Sequence, residues 1–559
     1  DSQTFELLQR GETTGIFQLE SRGMRDYLKQ LVPNDFEDIV SMNALYRPGA
    51  LGMNMVDSYI NRKHGKEDVT YGHEAVEKIL STTYGVIVYQ EQVMQIAQEL
   101  SGFSLGQADI LRRAMGKKKK EEMESLRSTF VDGAVKKDVN ERYAANLFDQ
   151  IEQFAGYGFN RSHSVGYALI AYQTAWLKAH FPAEFMASVL SCDLGNTDNI
   201  QLFVDDCRNI GLSVLSPDIN ISTYRFEDLD SKTILYGLGA IKGIGSSLVE
   251  EILSVRKNEK FKDINDFCMR VGFNRINKRI LTTLIGSGAM DSLGKREDLF
   301  RRIDSCLKNA EQASERNKSN IKDLFGEEII TPKEEEINTD IEFDEVSAEW
   351  SALGFYLDSH PLEKKKKEVR NMCGFFISEL QSESHTQRIA GCLMQFNVRQ
   401  GKRGRFAFAT LDDGSAKIEI SIWADVFEKY RNLLKKGQVL VVEGMIEKDD
   451  YSDSAKYKMI AERILTFDQA RYEYIKNIKI DIGDSPEEAQ ALVNSIKEIA
   501  NSSDGNPILI SYKGNSAKAD IALPSNYSVK INDSSIKALD KRFGAENIEF
   551  VYHTQNHIN

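Results

Sequence analysis

The stretch FAGYGFNRSHSVGYALIAYQTAW, residues 154–176, joins two kinds of sequence in one run. Its second half reads as a helix, while its first half sets Gly156, Gly158, Asn160, Arg161, Ser162 and His163 among three aromatic rings, a flexible corner. Arg161 and His163 stand two residues apart, just before a helix whose N-terminal dipole favours negative charge. Taken alone, the corner fits a strained loop with a satisfied histidine as well as it fits an anion site. The same alternation continues outward: amphipathic runs such as YQEQVMQIAQEL (89–100) are broken by corners such as LYRPGALG (45–52) and LSGFSLGQAD (100–109). Residues 1–198 therefore read as a mostly helical domain.

The chain has 559 residues, which suggests about four domains. Its six cysteines are scattered without a CxxC or Cys/His cluster, which argues against a disulfide framework or structural zinc and for a reducing cytoplasm. No leader and no run of about 18 apolar residues is found, so the reading is a soluble chain with no membrane span, starting at Asp1 and open to being a fragment of a longer one. The net charge of −13 would argue against nucleic acid if charge were spread evenly. It is not: acid concentrates in residues 326–350, while LRRAMGKKKK (111–120) and NRINKRI (274–280) are locally basic.

Residues 199–310 read as short helices around a β-hairpin in YRFEDLDSKTILYG (224–237). Residues 311–345 lose apolar periodicity and read as an acidic flexible linker, because such a segment cannot bury enough surface to offset its ordering entropy. A helical connector (346–385) leads to five strand-like runs between 386 and 468, interrupted by the helix-like VFEKYRNLLKK (426–436), which fit a small barrel of oligonucleotide-binding type. Residues 469–559 alternate helix and strand signals, a small α/β module. The expected fold class is multidomain α+β.

GLGAIKGIGSSLVEEIL (237–253) places Gly239, Gly243 and Gly245 where a helix would lose about 1 kcal/mol at each, so it reads as a tight turn between two helices. Uncovered N–H groups at Gly243 and Gly245, with the charge of Lys242, can receive a phosphate; the bland alternative is a corner that only lets two helices pack. The segment resembles a helix-hairpin-helix element, and a second basic helix start follows at Arg275, Lys278 and Arg279. Arg112 and Arg113 belong to a charge run that would ordinarily be a solvated face, yet they end an apolar phase, so at least one is expected to turn away from bulk solvent toward an anion.

Long unbroken strings carry a more specific likeness. Residues 44–67, 83–119, 154–187 and 236–245 closely resemble, in order, the bacterial DNA polymerase III alpha family. The resemblance implies a fingers domain with the palm junction at its start, tandem helix-hairpin-helix units, an OB-fold and a C-terminal domain like the one that binds the clamp-loader tau subunit. It implies that Arg112, Arg113, Arg161 and His163 face an incoming dNTP, and that Lys242, Gly243, Gly245, Arg275, Lys278 and Arg279 hold primer-template duplex. Arg399, Lys402, Arg403, Arg405, Phe406 and Phe408 would meet single-stranded template, although both phenylalanines also suit barrel core. Asp323, Leu324 and Phe325 would form the sliding-clamp (beta) peptide, in which Ile321 replaces the usual glutamine; otherwise Leu324 and Phe325 would be a helix-docking pair.

Polymerase chemistry requires Mg²⁺ on carboxylates. The family's palm motifs are not found here, and Asp228, Asp230, Asp412 and Asp413 sit where Asp commonly forms turns. The expectation is a fragment beginning after the palm and inactive alone, with Mg²⁺ bound by residues outside it. The alternative is a non-enzymatic scaffold that binds DNA and tethers clamp and clamp loader.

Overall fold

The helix Arg161–His180 shows how local sequence builds the first part of the structure. Asn160 caps it, its Oδ1 accepting the His163 N–H at 2.8 Å. Ser164, Ala168, Ala171, Ala175 and Lys178 recur at three- and four-residue spacing along its buried stripe. The small side chains of Ser164 and the three alanines admit the helix Phe36–Leu45, and Ser164 Oγ donates to Val40 O at 2.6 Å. Lys178 is wholly buried and donates to Asp206 Oδ2 at 2.7 Å and Thr14 O at 2.8 Å. Pro182 starts the next helix, Pro182–Cys192, at a position where a missing N–H costs nothing.

This computed structural model describes residues 1–117, 120–154, 158–319, 343–358, 360–381, 385–448, 457–481, 496, 505–513 and 518–553. The chain divides into two compact units, one of residues 1–240 and 245–253, the other of 241–244 and 254–559. Residues 199–240 thus fall in the first unit, whereas the sequence places a division at about 199.

Among the described residues, two apolar cores organise the helical part of the first unit up to about residue 180. One gathers Leu8, Leu28, Ile39, Val40, Tyr59 and Tyr89 with the alanines of the helix Arg161–His180. The other is built by the helices Gln90–Ser101, Leu105–Lys117, Lys120–Val135 and Glu141–Phe154 around Val93, Ile96, Leu111, Phe130 and Phe148. A three-stranded sheet follows: Thr233–Leu235 lies between Ser213–Leu215, parallel to it, and Glu227–Asp230, antiparallel. The hairpin is as expected; its third strand is not signalled in the sequence, being only three residues long.

In the second unit the helix Ile303–Ser319 runs nine residues into the stretch expected to be linker. Ala, Glu, Gln, Lys and Arg there are good helix formers, and extending a nucleated helix costs little without a fresh apolar stripe. The helix Lys278–Gly286 approaches the helix Glu345–Leu353 so closely that a Cβ on Gly286 would stand 2.8 Å from Ala348 O. Five strands then close a barrel in the order Gln387–Gly401, Gly404–Asp412, Lys417–Ile422, Tyr457–Thr466, Val439–Lys448. Lys417–Ile422 and Tyr457–Thr466 pair parallel, and the other pairs are antiparallel. The expected insertion is the helix Ala424–Tyr430 and a 3₁₀ turn. A four-stranded mixed sheet with the helix Asp533–Phe543 completes a multidomain α+β fold.

Candidate nucleotide and nucleic-acid sites

The glycine corner is pinned from the side opposite its helix. Phe159 N donates to Val88 O at 3.3 Å and Gln90 N to Phe159 O at 2.9 Å, a single parallel bridge between Tyr89 and Phe159. A Cβ on Gly158 would meet Phe154 Cε1 at 2.9 Å, so this glycine is there for close approach. Arg47, which the sequence did not single out, lies over the Phe159 ring at 4.3 Å, and burial lowers its pKa.

Arg161 and His163 both project from the first turn of the helix and are exposed. The His163 ring packs against Phe159 (5.5 Å) and Tyr167 (4.4 Å), while the Arg161 guanidinium lies 5.8 Å from the Tyr89 ring centre. The anion that this helix start calls for is supplied internally. Both carboxylate oxygens of Glu91 accept the Arg161 N–H (3.1 and 3.0 Å), Glu91 also accepts from Asn160 Nδ2 (2.8 Å), and Glu37 Oε1 lies 2.7 Å from Arg161 Nη2. No sequence spacing announces Glu37 or Glu91, since they come from other helices.

Arg112 and Arg113 lie on the helix Leu105–Lys117, which packs in the other apolar core of this unit. Neither turns away from water: their side chains are 37% and 65% exposed, correcting that expectation. Their shared anion is Asp109 on the same helix, with Arg112 Nη2 at 2.7 Å and Arg113 Nη2 at 2.5 Å. Those two hydrogen bonds, Arg112 first, hold the Asp109 carboxyl below its usual pKa.

At the second glycine corner, only a 3₁₀ turn, Leu238–Ala240, precedes Gly243, so the expected helix before the turn is replaced by strand and turn. The reason is packing: a Cβ on Gly239 would stand 2.6 Å from Tyr224 Cε2 and one on Gly237 2.5 Å from Arg225 C. Gly243 has φ +76°, and open space surrounds its would-be Cβ. Gly245 starts the next helix, its carbonyl accepting from Leu248 and Val249.

In the second unit, Lys242 and Gly243 line one cleft of about 620 Å³ together with Lys278, Arg279, Thr282, Thr283 and Ser351. The two basic segments thus converge, with hydroxyl groups between them, and Lys242 N donates to Ala352 O at 3.0 Å. Lys278 is paired with Asp304 at 2.8 Å. Arg275 is exposed one turn earlier and does not line the cleft.

On the barrel, strand alternation settles the phenylalanines. Ala407, Ala409 and Leu411 enter the core, whereas Phe406 and Phe408 are half-buried on the outer face. Their rings stand 5.6 Å apart, and Trp423, 49% exposed and not foreseen, lies 5.5 Å from Phe406. Arg399 lies over Phe408 at 5.5 Å, Lys402 and Arg403 are exposed in the hairpin turn, and Arg405 Nη2 pairs with Glu428 at 2.9 Å.

Asp230, Asp412 and Asp413 serve turns, whereas Asp228 lies within the strand Glu227–Asp230 rather than in the expected turn. Asp413 is buried and accepts from Ile377 N, Ser415 N, Ser415 Oγ and Ala416 N at 2.7–3.1 Å; Asp412 accepts from Gly414 N at 2.8 Å. Asp228 and Asp230 are exposed, and the Lys232 N–H holds the Asp230 pKa down. Among the described residues no group of three or more His, Cys, Asp or Glu could hold a metal ion, and no helix is long and apolar enough to cross a membrane. Asp323, Leu324 and Phe325 lie outside the described residues.

Comparison with known proteins matches three stretches of the chain. Residues 1–138 match the bacterial DNA polymerase III alpha subunit finger domain, 211–300 a helix-hairpin-helix motif and 388–466 an OB-fold nucleic acid binding domain. Arg161 and His163 lie beyond the first of these matches. The chain is 40% identical over 571 residues to the DNA polymerase III subunit alpha of Escherichia coli O157:H7, covering 99% of this chain and 49% of that protein. The proteins of that name from Vibrio cholerae (40% over 570 residues) and Pseudomonas aeruginosa (39% over 582) are similar to the same extents, 99% of this chain and 49% of each. The chain therefore spans about half the length of the curated relatives it matches.

Proposed function

This chain belongs to the bacterial DNA polymerase III alpha family over the half of those proteins that it spans, and we propose that it is the DNA- and nucleotide-handling part of a DNA-directed DNA polymerase, a nucleotidyltransferase of replication. The observation that carries this reading is the cleft in which Lys242 and Gly243 meet Lys278 and Arg279. Three cations, two threonine hydroxyls and one serine hydroxyl around a glycine without a side chain suit the phosphates of primer-template duplex, with no base edge read. Arg275 extends the contact along the backbone, and Gly245 of the first unit offers duplex DNA a separate backbone contact. The outer face of the barrel, with Arg399, Lys402, Arg403, Arg405, Phe406 and Phe408, takes single-stranded template.

Arg161 and His163 serve the incoming deoxynucleoside triphosphate, with Arg112 and Arg113 as further phosphate partners. The glycines let the backbone approach the ligand, Arg161 offsets phosphate charge, and His163 hydrogen-bonds or protonates a phosphate oxygen as pyrophosphate leaves. That Arg161 and its helix start already hold the carboxylates Glu37 and Glu91 supports an anion being accepted there.

The polymerase reaction uses Mg²⁺. The carboxylate pairs of this chain do not fit it: the Asp413 oxygens are taken up by turn N–H groups, and Asp228 and Asp230 stand exposed on a hairpin. Mg²⁺ would accordingly be held by residues outside this chain. Leu324 and Phe325 dock on the sliding clamp, and residues 469–559 on the tau subunit.

Primer extension by the purified chain, with Mg²⁺ and four dNTPs, tests the reading alongside binding to the same primed duplex. Salt-sensitive binding without product is expected. Extension would place the metal site within this sequence, and failure to bind the duplex would overturn the reading. Joint replacement of Leu324 and Phe325 should abolish clamp capture; an unchanged pull-down would move that site elsewhere.

A further inference from the structure

The register of the barrel aligns three side chains in one row across its outer face. Arg399 pairs with Phe406, and Ala407 pairs with Ile422, so the next residue, Trp423, falls opposite Phe406. Arg399, Phe406 and Trp423 therefore follow one another perpendicular to the strands, with Phe408 in the adjoining row. The Phe406 and Trp423 rings are 5.5 Å apart and inclined by 37°, and Phe408 stands edge-on to both. The indole is 49% exposed, so the aromatic surface is left open to solvent. Cations frame it: Arg399 over Phe408, and Lys402 and Arg403 exposed in the turn that joins the two strands.

We infer that Trp423 is the principal stacking residue of this surface, receiving an unpaired base on its indole while Arg399, Lys402 and Arg403 hold the flanking phosphates. This deepens, and rests on, the single-strand reading of the barrel. Flat rings offer a face to any base, and duplex DNA keeps its base faces covered, so the occupant is a single strand with little sequence preference. The framing positive charge favours a polyanion over an apolar peptide. Arg405 is turned to Glu428 on the following helix and contributes less than the other three.

The test is binding of oligodeoxythymidylate to the whole chain at several salt concentrations, read by anisotropy and by indole emission. Trp423→Leu should weaken binding about 5- to 150-fold, the range for one stacked base, with an unchanged salt slope. Trp423→Phe should recover most of the affinity, which guards against a folding defect. The binding-induced quench should vanish in Trp423→Leu although Trp176 and Trp350 remain. Arg399→Ala with Arg403→Ala should instead flatten the salt slope. A Trp423→Leu chain that binds within twofold of the parent and still quenches would overturn the inference and leave the single-strand reading standing. A parent chain that does not bind the oligonucleotide at all would overturn that reading itself.

Discussion

Arg161 Nη2 lies 2.7 Å from Oε1 of Glu37, a residue of another helix, so the arginine assigned to phosphate already holds a carboxylate. Both side chains are substantially exposed, 47% and 37%, which limits such a pair to about 0.2–1 kcal/mol. A triphosphate that takes the guanidinium must displace Glu37. Glu37→Gln is therefore expected to tighten binding of tripolyphosphate or a dNTP about 1.5- to 5-fold by calorimetry. Arg161→Ala should weaken it and erase the effect of the Glu37 change; additive effects of the two would mean they do not share the ligand.

Lys178 and Asp206 form a pair sealed inside the first unit, the lysine 0% and the aspartate 11% exposed at their side chains. Removing one partner strands the other charge. Asp206→Ala should cost about 3–5 kcal/mol in urea unfolding, and Lys178→Met with Asp206→Leu should return most of it. A single change below about 1 kcal/mol would show that water reaches the pair.

Arg279 and Lys242 share the cleft proposed for duplex phosphates, and Lys278 is held by Asp304. Replacing Arg279 or Lys242 by Ala should each reduce the log–log salt slope of duplex binding by about 0.9. Lys278→Ala should change it less than Arg279→Ala, because the Lys278 ammonium already has Asp304 as counter-charge. Equal slopes in all variants would remove the cleft from the DNA path.

His360 accepts the Leu362 N–H on Nδ1 at 3.2 Å, while its Nε2 is buried and 3.6 Å from Asp412 Oδ1. Burial lowers its pKa from 6.5, against the opposing pull of Asp412, Asp413 and Glu363. The folded state thus prefers the neutral ring. Its stability is complete above about pH 6.5, the unfolded value, and declines as pH falls below it, since the unfolded chain takes up the proton first. His360→Asn keeps an acceptor for the Leu362 N–H and should flatten the melting temperature between pH 6.5 and 5. A parent chain with no decline over that range would contradict the assignment.

The barrel was legible because strand alternation, turn residues and one short helix are local signals, and each expected strand falls on an observed one. The helix after the glycine corner was legible too, since the run read as helical falls on the observed Arg161–His180; Gly156 lies outside the described residues. Sequence overreached where local composition does not decide: the helix Ile303–Ser319 extends through residues with no apolar stripe, and a turn stands where a helix was expected before Gly243.

Sequence by itself determined the modular α+β plan, the basic segments and the family likeness, all of which rest on patterns within short windows. Tertiary structure alone decided which charges meet. Glu37 and Glu91 claim Arg161, and Lys242 comes to share a cleft with Arg279. Strand pairing likewise set Trp423 beside Phe406. Coulombic and stacking interactions act over a few ångströms of space, whatever the separation along the chain, so no spacing in the sequence records them.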